Sequence, residues 1–600
     1  MNHHQYLGVS LLIALCGGGT VLAQKPLMSA NPGVVWPAVD ALGRKLPTPG
    51  EVGPPRPNRF VGIFYFLWLN ERHNRSPHWE GPYDIARILA ADPDALQKPE
   101  SPLWGKIGQS HYWGEPLYGY YLTPDPWVLR RHANLLADAG IDTLIFDTTN
   151  ALTYHEQYMA LCKVFRQIRQ EGGWTPQFAF MVNTQAGKTA RKIYDELYKP
   201  GLYPELWFHW QGKPLMICDP KEADEELKAF FTLRRAHWPF EIANTQNAWH
   251  WEAVYPQVYG YTDDPDKPEQ VNVSVAQNLR VSDGYPTAMS YGDARGRSFH
   301  KGKKDPAPDA IQHGHNFAEQ WQRAHELNPP FVMVTGWNEW IAGRWGDPKG
   351  RFYFVDQYDQ EHSRDIEPMK GGHNDNYYWQ MVAHIRRYKG APPMPKASAP
   401  TTIKLDGRFE QWKDVDPTFS DHINETLPRD FDGAGGLRYE NKTGRNDIVA
   451  CKVARDAKNV YFYVRTREPL TPRSDPNWMW LFIDADQNPA TGWAGYDFIV
   501  NRTGKRAAGS PEGEKGAVLV EKNAGGWNWQ EAGTASCRVE GNQLHLAIPR
   551  SVLGLPENTT KLALDFKWAD NLQKPGDVMD FYLSGDVAPE ARFNYRYLAD

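Results

Sequence analysis

A chain of 600 residues is too long for one hydrophobic core and calls for two or three domains. Its balance of 41% hydrophobic and 23% charged residues excludes a disordered or fibrous chain. A net charge of −6 with no block of like charge gives no sign of a nucleic-acid partner.

From the N-terminus, Leu7 to Val21 is apolar and too short to span a membrane, and Val21-Leu22-Ala23 precedes Gln24. This predicts a secretory signal cleaved after Ala23 and a secreted or periplasmic protein, although His3 and His4 stand where Lys or Arg is usual. No later run reaches the ~18 unbroken apolar residues of a membrane span. Residues 24–59 are rich in Pro and Gly and predict an extended lead-in.

From Phe60 the pattern becomes strand-length apolar runs separated by helical spacing. Phe60–Leu67, Asp142–Asp147, Gln177–Val182, Lys213–Asp219, Val271–Gln277 and Phe331–Thr335 are the runs. Trp127–Ala139, Tyr158–Gln170 and Phe317–Leu327 carry the helical spacing, the first stopping at Gly140. Repeated helix-then-buried-strand units over residues 60–389 predict a (β/α)8 TIM barrel, with the two missing strands placed near Phe240–Thr245 and Pro286–Tyr291. Residues 390–402 read as a Pro/Ala/Ser/Thr linker. Beyond it, short alternating strands such as Val460–Arg465, Trp478–Asp484 and Gln543–Ile548 predict an all-β sandwich over residues 403–600. After cleavage, Cys162, Cys218, Cys451 and Cys537 remain. Cys451 and Cys537 lie in strand-like runs that could pair, or all four stay buried thiols.

In such a barrel, polar residues at the C-terminal ends of strands form the site. Glu339 follows the last strand in Gly336-Trp337-Asn338-Glu339-Trp340, where flanking rings would desolvate it and raise its pKa. The alternative is a structural Glu paired with Arg344. Asp147 ends another strand, with capping of the following helix as its competing role. Glu252 lies among Trp249, His250 and Trp251. Asp219, Glu115, Asp356, Glu361 and Glu367 are further acids near strand ends or in the insertion after Glu339. Tyr65, Trp68, His111, Trp113, Tyr120, Asn183, Gln257, Gln277, Trp337, Asn338, Trp340 and His373 are candidate binding groups, because flat rings and amides suit a saccharide. The basic run Arg295 to Lys304 is either a solvated loop or a site for an anionic sugar. In the C-terminal region, Asp484, Asp486 and Asn488 alternate as hard oxygen ligands would, which suits a structural calcium ion; no cofactor is implied for the chemistry.

Thr335 through Trp340, with Gly343 and then Glu367-Pro368, resembles the last-strand signature of glycoside hydrolase family 99 and the similar family 71. That signature runs roughly N-E-W-x-E-G and then E-P. The resemblance implies a barrel of the endo-α-mannosidase type that cleaves glycosidic bonds of a polysaccharide or glycan, with Glu339 in the motif, and the family's mannoside substrate and mechanism do not carry over with it. Two departures stand out: the family's second Glu falls on Ala342, and a long insertion precedes Glu367. Either another carboxylate acts as the acid, or the chain is a catalytically silent glycan-binding protein; a sugar lyase or transferase on the same scaffold is a third reading. Leu405-Asp406-Gly407 with Trp412, Leu481–Asn488, Thr491-Gly492-Trp493 and Gly495-Tyr496-Asp497 resemble the family 9 carbohydrate-binding modules. Trp478, Trp480 and Trp493 are the candidate stacking residues of such a module, with strand alternation putting Trp478 and Trp480 on one face, where one of the two could instead belong to the core.

Overall fold

The structure is a computed structural model and describes residues 30–70, 75–241, 244–346, 352–504 and 515–599. The expected signal at Leu7–Ala23 lies outside the described residues.

Eight parallel strands lie side by side in chain order: β1 (Phe60–Tyr65), β2 (Thr143–Thr148), β3 (Gln177–Val182), β4 (Lys213–Ile217), β5 (Thr232–His237), β6 (Ala248–His250), β7 (Gln270–Ser274) and β8 (Phe331–Thr335). Main-chain ladders join β1 through β6, and β7 through β8 back to β1. The seam between β6 and β7 is closed by a side chain. Gln270 donates to the His250 carbonyl at 2.9 Å and accepts the His250 N–H at 2.7 Å, so one amide replaces the missing ladder bonds.

The strands read as unbroken apolar runs because both faces are covered. Alternation sends Phe60, Phe64, Ile145, Met181, Ile217 and Met333 to the barrel interior, and Val61, Ile63, Leu144 and Phe146 outward beneath the helices. The helices are α1 (Pro126–Asp138), α2 (His155–Gln170), α3 (Ala186–Ile193), α4 (Glu225–Phe230), α5 (His315–Leu327) and α6 (Asn376–Lys389). α1 starts where Asp125 accepts the Trp127 N–H ahead of a first-turn proline, and ends before Gly140, which has positive φ. Among the described residues no helix follows β5 or β6. The fold is therefore TIM-barrel-like, with a nearly closed parallel sheet and an incomplete ring of helices.

Two of the expected strands are misplaced. Phe240 is 56% exposed in a turn, and Met289–Tyr291 is a single 3-10 turn. Their places are taken by β5 and β6, whose polar residues hide them from a hydrophobicity pattern. Arg234 on β5 is buried and pairs with Glu269 at 2.6 Å, and Glu269 also accepts from the indoles of Trp210 and Trp249. His237 and His250 stack at 3.8 Å between the same strands.

Residues beyond the barrel form a separate, wholly antiparallel sheet from Thr418–Ser420 to Tyr595–Ala599, folded over its own core. It is docked on the barrel. Arg429 reaches Asp125 at 2.7 Å, Arg592 and Tyr582 bond Asp375, and Tyr582, Ala591 and Phe593 join the outer barrel core. The expected lead-in and linker are tied down as well. Trp36 packs on Phe419 and Tyr595, the Arg386 guanidinium donates to the Trp36 carbonyl, and Arg455 donates to Ser398 in the 390–402 segment. The four cysteines among the described residues are all buried, and Cys162, Cys218 and Cys451 are free thiols.

Candidate active site

Glu339 reaches the C-terminal end of the barrel on the turn after β8. That turn is stitched to the end of β1: Trp337 N–H donates to Phe64 O at 2.8 Å, and the Asn338 amide accepts from Phe66 N–H and donates to Phe66 O. Glu339 Oε2 accepts from Gln357 at 2.6 Å and from Arg364 at 2.8 Å. Among the described residues its Oε1 accepts no hydrogen bond. The Glu339 main-chain N–H donates to Asp365, whose second oxygen accepts from the Trp113 indole at 2.7 Å.

Arg364 is the hub. Besides Glu339, its guanidinium lies 3.7 Å from Glu252 after β6 and 3.6 Å from Asp356, and it sits 4.7 Å over the Trp251 ring. Glu252 is wholly buried and neither oxygen accepts a well-formed hydrogen bond. Asp147, at the end of β2, accepts from the Thr149 N–H and hydroxyl through Oδ1, an Asx turn that leaves Oδ2 uncommitted. Asp356 is the most open of the group, with 36% of its side chain exposed.

Crowding of acids away from water raises these groups. Burial pushes Glu339 well above the usual carboxylate range, with Arg364 opposing and Asp356 and Asp365 reinforcing. Burial takes Glu252 up to about 7 against the pull of Arg364, and Asp365 to about 7 against Arg297. Asp147 is raised by burial, opposed by its bonds to Thr149. The result is a set of carboxyls from three strand ends and one insertion, gathered on one cation, several of them disposed to hold a proton near neutrality.

Most expected binding residues lie behind this site. Tyr65 bonds His132 at 2.9 Å, and His132 bonds Glu367, which also accepts from Tyr121 and Trp340. Glu367 is thus a satisfied scaffold carboxylate. Trp113 stacks on Trp340 at 4.8 Å, and Trp337, Trp340 and Trp113 are all buried. Gln257 donates to the Asn272 and Gln320 carbonyls, and Gln277 accepts from Asn316. His111 is buried among Tyr83, Trp104 and Phe354, and burial lowers it to about 3, so it stays neutral. Asn338 is consumed in the tie to β1. Tyr65, Trp113, Gln277, Asn338 and Trp340 thus spend polar atoms on the protein's own groups, whereas the Trp337 indole N–H, Gln257 Oε1 and His111 Nε2 are buried with no well-formed hydrogen bond among the described residues. Trp68, half-buried after β1, and Asn183, exposed after β3 and bonded to Trp238, remain at the rim.

Other expectations change too. Arg297 in the basic run is buried, donating to Ser363 and to the Asp365 carbonyl, so it braces the insertion. Glu361 accepts from Ser298, Glu115 pairs with Lys370, Asp219 caps Lys221 N–H, and Tyr120 donates to Asp84. Arg344 bonds the Gly105 and Pro99 carbonyls, not Glu339. In the C-terminal sheet Trp478, Trp480 and Trp493 are buried, which removes them as stacking surfaces. Asp497 joins two residues of the expected calcium set. Asp484, Asp486 and Asp497 each bring an oxygen within 4.8 Å of the others, while Asn488 accepts from Ala490 N–H. One oxygen of Asp484 is buried without a partner, and burial with Asp565 and Asp497 nearby raises Asp484 to about 8; a hard cation fits this donor set.

Sequence reasoning missed Arg364, Gln357 and Asp365. They lie in the insertion after Glu339, and nothing in their spacing marks them as site residues.

No protein-family model matches the chain, and neither does any curated protein. Among solved structures it is similar to the GH99 endo-alpha-mannosidase from Bacteroides thetaiotaomicron, and to the same enzyme in complex with BIS-TRIS-propane. Each comparison has 13% identity and a TM-score of 0.31, covering 55% of this chain and 97% of that one.

Proposed function

We propose that this protein is an exported glycoside hydrolase whose site is the carboxyl cluster around Arg364. The observation that carries the reading is Glu339. One of its oxygens is held by Gln357 and Arg364 and, among the described residues, the other accepts no hydrogen bond, at the strand-end face where such barrels work. Glycosidic cleavage requires a protonated carboxyl near the leaving oxygen and a second carboxylate for water or the sugar carbon. Glu339, raised by burial, supplies the proton. Asp147 is the second carboxylate, with an uncommitted oxygen and a fixed orientation, and Asp356 lies at the open side. Glu252, deepest of the set, balances Arg364. Trp68, Asn183 and Trp238 at the rim suit a glycan, and export rests on Leu7–Ala23. The loop of Asp484, Asp486 and Asp497 is proposed to hold calcium.

A silent glycan-binding protein is the second reading, favoured by Ala342. It is buried with Ile85, Trp104 and Phe354, where the motif's second Glu would stand. Single-turnover kinetics on a cleaved glycan separate the acids. Asp147→Asn is expected to lose ~10²-fold or more, the usual scale for a positioned acid or base, and Asp356→Asn clearly less. Equal, small losses in both would remove Asp147 from the role.

A further inference from the structure

A second buried acidic cluster lies far from the strand-end face, where the C-terminal sheet meets α1. Asp421 follows the strand Thr418–Ser420, Asp586 opens the strand Asp586–Ala588, and Glu425 lies in the loop resting on α1. Each offers a carboxylate oxygen within 4.8 Å of the other two. Glu425 and Asp586 are 1% and 2% exposed.

The bonding of these groups is half complete. Asp586 Oδ2 accepts the Ile448 N–H at 2.6 Å, and Glu425 Oε2 accepts from Asn134 at 3.3 Å. Glu590, buried beside them, turns one oxygen to Arg131 at 3.4 Å. That leaves Asp421 Oδ2, Glu425 Oε1, Asp586 Oδ1 and Glu590 Oε1 buried with no hydrogen-bond partner. Arg131 from α1 and Lys567, which donates to the Pro589 carbonyl, are the cations beside the four acids. Four carboxylates thus outnumber the basic groups beside them, Arg131, Lys567 and His422, in a site where Glu425, Asp586 and Glu590 are fully buried and Asp421 is half-buried. Buried acids so placed either hold protons or hold a metal. Burial and repulsion from neighbouring acids raise Asp421 and Glu425 well above their usual range, and burial with Asp447 nearby takes Asp586 to about 7 against Glu425, the Ile448 N–H and Arg131.

We propose that Asp421, Glu425 and Asp586, backed by Glu590, bind one divalent cation, calcium by its all-carboxylate oxygen set, which braces the part of the C-terminal sheet that rests on α1 of the barrel. This site is distinct from the Asp484 loop, and Arg131 and Asn134 of the barrel complete its surroundings.

The test uses the full chain carrying Asp486→Asn and Asp497→Asn, which disables the loop. Metal analysis after exhaustive dialysis into metal-free buffer is expected to find about one calcium per chain. EDTA is expected to lower the melting temperature by several degrees, and added calcium chloride to restore it. Adding Glu425→Gln and Asp586→Asn is expected to abolish both the bound calcium and the response to EDTA. No bound calcium in the loop variant, with a melting temperature indifferent to EDTA and calcium chloride, would overturn the proposal. The cluster would then hold shared protons. The loop variant leaves the cluster intact, so its result decides even if the Glu425→Gln/Asp586→Asn chain fails to fold.

Discussion

At the residue scale the site is governed by Arg364, which faces Glu339, Glu252 and Asp356 together. Removing water around these acids makes their protonation a stability term as well as a chemical one. Glu252 sits at about 7 in the fold against about 4.3 in an unfolded chain. The folded state therefore binds the proton more tightly. The stabilisation this gives is complete below the unfolded value and is lost as pH rises through about 7. Gln has no such dependence. Thermal melts should show Glu252→Gln gaining on wild type between pH 5 and 8, by roughly 3 kcal/mol at the upper end. Parallel pH curves for the two proteins would show that Glu252 titrates normally. Glu339 and Glu252 were legible because Trp neighbours mark desolvated acids in a sequence. The buried Trp337, Trp340 and Trp113 misled for the same reason: a ring beside an acid either faces a ligand or walls off the acid. Their indoles and stacking partners decide for the wall.

At the element scale, six of the eight strands follow from their apolar runs, and β5 and β6 do not. Their buried polar residues, Arg234, His237 and His250, break the apolar run, and the partner of Arg234, Glu269, comes from just before β7, so no local window reveals them. Among the described residues the only direct hydrogen-bonded link between β6 and β7 is the Gln270 side chain, with Gly260–Tyr261 bridging their starts through main-chain bonds to Asn247 and Glu269. Gln270→Ala would leave the His250 N–H and C=O both buried and unpaired, at a cost of about 2–4 kcal/mol. Chemical denaturation should show that loss, and a change below ~0.5 kcal/mol would mean that the seam is closed by something else. The misplaced face of the tryptophans after the linker has a similarly local cause. Met479 takes positive φ between Trp478 and the strand Trp480–Asp484, so the alternation restarts at Trp480. Trp478 joins one core and Trp480 another.

At the scale of the whole molecule, the Pro-rich segments that read as lead-in and linker are seams of one structure. Trp36 plugs the C-terminal sheet while Arg386 of α6 holds its carbonyl, and Phe593 of that sheet packs on Trp379 of α6. Composition reports the absence of regular structure in such segments but is silent on what their backbone bonds to. The two-part architecture was legible, and the docking that makes the barrel and sheet share a core was not. The intact protein is then the object to assay, since barrel and sheet support each other only there. The most direct measurement is product release by the full chain from a panel of bacterial, plant and animal polysaccharides and glycans, with Glu339→Gln alongside. Oligosaccharide products are expected from at least one member, with Glu339→Gln at least ~10²-fold slower at an unchanged melting temperature. Near wild-type turnover by Glu339→Gln would contradict the assignment of the site, and a wild-type protein that binds a glycan and cleaves none would contradict the assignment of the activity.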